Sequence, residues 1–269
     1  MRFIVPCLLA SALALSGCGG APAAAPAVLT PSPTPTPAVT SPVPAELTKA
    51  NLANRTLAAL KKKGSFQVEV LLIERGGDRR YTDLDYRANV RLTGTSADLS
   101  ASTKEVPLVI RSGGVTYFED DSLTGSSRRP WVRLNPKGKS RAERDANEIA
   151  DTVIGLALSY QVLGGATHAT SFQRGGQPAV DATEAGQEYI FTVDPRKAAG
   201  EFFAWPMIRD AVGTLNVSVA VDAHEVPRRI EYVVRSKDGS SLNVRVILRG
   251  FGQKTPVVPP PAAKIGKLR

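Results

Sequence analysis

The side chains able to do covalent or metal chemistry are few. Cys7 and Cys18 are the only thiols, and His168 and His224 the only imidazoles. A transition-metal site needs three or four such ligands converging on one point. Neither histidine has a second histidine or a cysteine at ligand spacing, so both read as surface strand or turn residues. No G-x-S-x-G stretch offers a nucleophile elbow, and no serine stands three residues ahead of a lysine. The glycine pairs at 76–77, 113–114, 164–165 and 175–176 fall at turns, and none opens a phosphate loop. Asp83 with Asp85, and Asp120 with Asp121, read as solvated turn or edge carboxylates rather than an acid–base pair. Arg128-Arg129 and Arg228-Arg229 read as charged edges that discourage strand pairing, with a lipid-headgroup contact as the sharper alternative. The expectation is a protein without enzymatic activity, metal or cofactor.

One reactive side chain has a setting that explains it. Cys18 follows Leu15-Ser16-Gly17, behind a charge-free apolar run from Phe3 to Leu15 and a cationic Arg2. That is the three-part layout of an export signal, with small residues where a peptidase must fit. The order Leu-Ser-Gly-Cys resembles a bacterial lipobox, which implies cleavage before Cys18 and a diacyl or triacyl anchor on its thiol. Residues 1–17 then form the signal peptide and Cys7 is removed with it. The mature chain keeps one acylated cysteine, so no internal disulfide can form. The apolar run is shorter than the ~20 residues a spanning helix needs. The expected location is the extracytoplasmic face of the cell membrane, in a bacterial envelope.

The elements that follow must hang from that anchor. Residues 18–45 combine the acylated cysteine with a linker of proline, alanine, threonine and serine that carries no charge before Glu46. Such a stretch has no apolar surface to bury and favours extended polyproline II. Residues 46–257 read as one domain and 258–269 as a basic, proline-rich tail. A net charge of +9, or +8 once Arg2 leaves with the signal, suits an anionic membrane surface or wall polymer; nucleic acid is not expected as a partner, since an exported protein does not meet it. Leu47, Ala50, Ala53 or Asn54, Leu57 and Leu60 predict a helix over 46–63, ending in Lys61-Lys62-Lys63. From Ser65 the apolar period becomes two. Strands are predicted from Phe66 onward, over 84–93, 95–102, 106–111, 115–119, 131–134, 168–173 and 187–193, and then over 213–222, 226–236 and 241–250. The last three carry Leu215, Val217, Val219, Val221, then Ile230, Tyr232, Val234, then Leu242, Val244, Val246, Leu248 on one face, with polar residues on the other. One wet face and one buried face is the pattern of an antiparallel sheet. Between the strand groups, Ser140 and Glu143 form a capping box for a helix over 140–163 that turns apolar after Ile149.

Several phrases together point to a family. A strand ending Val193-Asp194, a second ending Val221-Asp222, the return Val226-Pro227-Arg228-Arg229-Ile230, and Arg249-Gly250-Phe251-Gly252 ahead of Pro256-Val257-Val258-Pro259-Pro260 are joined by Trp131-Val132-Arg133-Leu134 before the long helix. Placed after a lipobox and linker, this order resembles the actinobacterial LppX/LprG lipoproteins of the LolA/LolB-like fold over about residues 46–262. The resemblance implies an α+β fold: a curved antiparallel half-barrel with helices packed on its concave side. It also implies a hydrophobic cavity between them that binds or carries a lipid or lipoglycan. Its candidate lining is Val153, Ile154 and Leu158 of the greasy helix, with Phe202, Phe203, Trp205 and Met207 of the aromatic cluster. Each of these can equally be packed core. The alternative is a structural or signalling lipoprotein whose core is filled by its own side chains and whose surface meets a protein or wall partner, its identity unknown.

Overall fold

Alternating apolar residues make the strands, and the register of the strands gathers those residues onto one face. The fold is described from a computed structural model, for residues 46–75, 86–94, 96–102, 108–179, 186–254 and 257–268. Cys18, the signal peptide and the linker lie outside these residues, as does the Asp83/Asp85 pair. The strands are β1 (Ser65–Arg75), β2 (Tyr86–Thr93), β3 (Ser96–Ser102), β4 (Val109–Ser112), β5 (Val115–Glu119), β6 (Trp131–Arg133), β7 (Ser171–Arg174), β8 (Gln187–Val193), β9 (Leu215–Val221), β10 (Pro227–Arg235), β11 (Ser241–Arg249) and β12 (Ile265–Gly266). Among the described residues they join one open, curved sheet in the order β12-β6-β5-β4-β3-β2-β1-β11-β10-β9-β8-β7, antiparallel except for β12 on β6. This is the α+β class expected.

The pairing explains the core. Tyr86 lies opposite Val70, Val70 opposite Val246, Val246 opposite Ile230, Ile230 opposite Val219, and Val219 opposite Tyr189. All of them are buried, so one apolar row crosses β2, β1, β11, β10, β9 and β8. Val244, Tyr232, Val217 and Phe191 make the next row. A one-residue slip of any strand would turn its apolar set to solvent. The other face is polar, with Arg245 to Glu231 at 2.9 Å and Arg249 to Glu69 at 3.3 Å.

Helices cover the apolar face. α1 (Leu52–Lys63) buries Leu52, Thr56 and Leu60, one residue per turn. It starts later than predicted because residues 48–51 form a turn, in which the amides of Asn51 and Leu52 donate to the Thr48 carbonyl. α2 (Asp121–Thr124) is a single turn. Asp120 is its cap, accepting from the Ser122 amide at 2.8 Å, which gives that carboxylate a structural task. α3 (Arg141–Ala157) carries the predicted capping box: Ser140 accepts from the Glu143 amide at 3.1 Å, and Glu143 accepts from the Ser140 amide at 3.0 Å. The helix does not run to 163. It bends by 66° into a 3-10 segment, Ser159–His168. At the bend Ser159 Oγ reaches back to the Gly155 carbonyl and across to the Tyr232 hydroxyl at 2.8 Å, a competition with the helix backbone that favours bending. α4 (Glu201–Ala204) and α5 (Pro206–Arg209) are single turns on either side of Trp205, with Pro206 at the first helical position.

The proline-rich end packs on the sheet rather than standing apart as a tail. Val257 is buried with Ile110 and Trp131 on the outer face, and Ile265–Gly266 adds β12 to β6. No single helix among the described residues is long and apolar enough to cross a membrane.

Candidate hydrophobic-ligand site

The seven candidate residues fall into three groups. Ile154, Leu158, Phe202 and Trp205 come together, lining a half-open pocket of about 180 Å³ with Asp151, Gly155, Glu201, Ala204 and Pro206. Met207 stands outside it and lines an adjoining groove of about 390 Å³ between α5 and the first turns of α3, shared with Trp205 and Pro206. Val153 and Phe203 belong to neither space: both are buried in the main core.

The aromatic cluster is interlocked. The Trp205 ring lies over Gly155, so close that a Cβ there would sit 2.4 Å from ring carbon Cδ2. A glycine inside a helix costs about 1 kcal/mol relative to alanine, and here the tryptophan uses the space it leaves. Phe203 likewise reaches Gly165, where a Cβ would be 2.9 Å from its Cζ. Phe202 meets Phe203 edge-on at 5.2 Å, Tyr232 edge-on at 5.6 Å, and Trp205 at 6.3 Å. The Tyr232 hydroxyl then pairs with Ser159, and the Tyr86 hydroxyl donates to the Val153 carbonyl. In this closed arrangement much of the space between sheet and helices is taken by the chain itself.

Three contacts hold the segment 201–212 in place. The Phe202 amide donates to Gln161 Oε1 at 3.2 Å, the Val212 amide donates to the Arg235 carbonyl at 2.7 Å, and Glu201 forms a two-armed ion pair with Arg111 of β4. Gly200 and Gly213 bracket the segment at φ 124° and 77°, values that L side chains rarely adopt. Asp151 lies at the pocket mouth. Crowding by the protein and the nearby Glu201 charge raise its carboxyl above the usual range, with Arg111 opposing. Inside, burial pushes the Tyr160 hydroxyl up to about 12 and raises those of Tyr86 and Tyr232 as well. All three are neutral hydroxyls buried in the packed interior. His168, exposed at the end of the 3-10 segment, and His224, exposed in a turn, stand apart from the pocket, and no group of three His, Cys, Asp or Glu among the described residues could hold a metal ion.

Sequence reasoning missed Gly155, Ser159, Tyr232, Gln161 and Arg111. Only Gly155 left a signal: a glycine inside the apolar run Ile154-Gly155-Leu156 asks what needs its space.

No protein-family model matches the chain, and no curated protein matches it. Among solved structures it is similar to a LolA superfamily protein, NE2245 from Nitrosomonas europaea, at 12% identity and a TM-score of 0.32, over 78% of this chain and 96% of that one. A likeness this distant says nothing of ligand or activity.

Proposed function

We propose that the chain is a non-enzymatic lipoprotein, held through an acylated Cys18 at the extracytoplasmic face of a bacterial cell membrane. It binds a lipid or another apolar molecule between α3 and the α4–α5 turns. The residue pattern supporting the anchor is Leu15-Ser16-Gly17-Cys18, and the phrases that resemble those of the LppX/LprG lipoproteins support the ligand class. The observation that carries the binding reading is the aromatic segment itself. Two one-turn helices between two positive-φ glycines lay Trp205 over the Gly155 notch, and Phe202 and Trp205 line a half-open pocket there whose lining also includes Asp151 and Glu201. The pocket alone is smaller than the ~300 Å³ at which ligand sites begin. Displacing Phe202 and Trp205 outward would open the interior to an acyl chain. Each methylene that entered would gain about 0.8 kcal/mol, which offsets the exposed rings once several are buried.

The test is extraction and mass spectrometry of the protein purified from its own host. A stoichiometric apolar ligand is expected, and Trp205→Ala should enlarge the pocket and increase uptake of a fluorescent fatty acid. A ligand-free protein that excludes the probe in both forms, while melting normally, would leave the second reading: a self-filled core with a protein or wall partner. The closeness of the aromatic contacts favours that second reading. Acylation is tested separately, since Cys18→Ala should abolish incorporation of labelled fatty acid.

A further inference from the structure

At one end of the sheet, positive charge is left without acidic partners among the described residues. The last turn of α1 carries Lys61, Lys62 and Lys63, all exposed. The turn that follows β11 lies directly against it: the Gly252 amide donates to the Ser65 carbonyl at 2.9 Å, and Ser65 Oγ donates to the Gln253 carbonyl at 2.6 Å. That contact brings exposed Lys254 to the same rim. A lysine at a helix C-terminus is favourable by itself, so the three lysines alone would need no further account.

The acids at this end change the account. Asp98 is engaged by Arg91 at 2.7 Å and by the Gly113 amide at 2.9 Å. Asp222 faces Arg228 at 3.7 Å, and Glu225 is held by Arg55. Among the described residues every such ion pair is made by an arginine, and Lys61, Lys62, Lys63 and Lys254 make none. The end therefore presents four ammonium groups that no acid among the described residues compensates. Beside them is half-buried Phe251, with the Arg228 guanidinium 5.0 Å from its ring centroid. Compact, strongly hydrated ammonium groups on flexible stems suit a diffuse layer of charge better than one shaped ligand.

We infer that this rim, formed by Lys61, Lys62, Lys63 and Lys254 around Phe251, docks the domain onto an anionic lipid bilayer. Charge complementarity drives the contact, and each lysine near an anionic surface contributes roughly a fivefold gain in binding. This docking is independent of any ligand in the interior.

The test is co-sedimentation of the full chain with vesicles of phosphatidylglycerol and phosphatidylcholine, against vesicles of phosphatidylcholine alone. Every variant carries Cys18→Ser, so that no acyl group contributes and the leading apolar segment is constant. The parent should prefer the anionic vesicles, and added salt should weaken that preference as the Debye length shrinks. Lys61→Gln, Lys62→Gln and Lys63→Gln together should weaken anionic binding by about a hundredfold or more at low salt with the melting temperature little changed. The control variant Lys137→Gln, Lys139→Gln and Arg141→Gln removes the same charge beyond β6, five strands along the sheet from β1. It should keep most of the binding. Equal losses in the two variants would mean that net charge alone is responsible and would overturn the proposal. Undiminished binding in the first variant would overturn it as well. Should the first variant melt early, Lys254→Gln with Lys62→Gln, which spares most of the helix end, reads the same effect at about a twenty-five-fold loss.

Discussion

The first helix and the α4–α5 turns both cover the apolar face of the sheet, and they are built in opposite ways. α1 has twelve residues of continuous helix and sends Leu52, Thr56 and Leu60 into the core at regular spacing. Its end is closed by the Gly64 amide, which donates to the carbonyls of Leu60 and Lys61. The segment holding α4 and α5 has two turns of four residues each, whose backbone bonds close single turns on either side of Trp205 rather than one continuous helix. It stays down through aromatic rings, a few tertiary hydrogen bonds and one ion pair. A helix that carries its own backbone order is a fixed wall. A segment of single turns, held down on the sheet by tertiary contacts, can leave when something replaces those contacts, and low-stability elements of this kind are where binding sites open.

The largest expected effect tests the fixed wall. Leu60→Ala should cost about 2–5 kcal/mol of unfolding free energy in urea, because a fully buried leucine leaves a cavity that α1 cannot collapse to fill. A loss well under 1 kcal/mol would make α1 as dispensable as the turns. Gly155→Val should cost less, about 1–3 kcal/mol, by forcing Trp205 out of its place against α3. Its signature is a red-shifted tryptophan emission with the domain still folded; emission unchanged would show that the cluster is rigid. Glu201→Gln removes the ion pair to Arg111 and should cost no more than about 1 kcal/mol. It should nonetheless speed hydrogen exchange at the amides of 202–212 while leaving α1 unchanged.

The finest contrast is in pH. Asp98 is partly desolvated, yet Arg91 and the Gly113 amide hold its carboxyl below the ordinary value. Its contribution to stability is therefore present above about pH 4 and is lost as pH falls through the lowered value. Asp151 has the opposite sign. Its raised carboxyl stabilises most while protonated, and that contribution is lost as pH rises from about 4 through the raised value. Asp98→Asn should thus flatten the acid limb of a stability–pH curve. Asp151→Asn should tighten the closed segment at neutral pH and remove its loosening above about pH 4, read by exchange at 202–212. Two curves of the same shape would erase the distinction.

What the sequence made legible was local or periodic. β9, β10 and β11 were readable because one face of each is wet, so polar and apolar residues alternate cleanly. The start of α3 was readable because Ser140 and Glu143 satisfy each other within one turn. Its bend was not, because the partner of Ser159 is Tyr232, which lies on a distant strand. β12 escaped for a different reason: two residues have no period, and their place is set by the edge of β6. In the candidate site the aromatic composition was visible at once. Whether those rings line or fill the space depends on which glycine each ring lies against, and that is decided by tertiary register.

One pairing has a consequence for how the chain comes to be folded. β1 lies against β11 along its length, from Gln67 opposite Arg249 to Arg75 opposite Ser241. The first strand of the domain therefore waits for the last long one. A chain that emerges N-terminus first holds β1 with one edge unpaired through the making of every strand between, and that edge belongs to an apolar, Val- and Leu-rich segment. Pairings this distant in sequence place folding in the slower, millisecond-to-second range, and an unpaired apolar edge invites pairing with another chain. A chain cut short before Ser241 would leave both β1 and β10 as open edges, and its expected fate is aggregation rather than a smaller soluble domain.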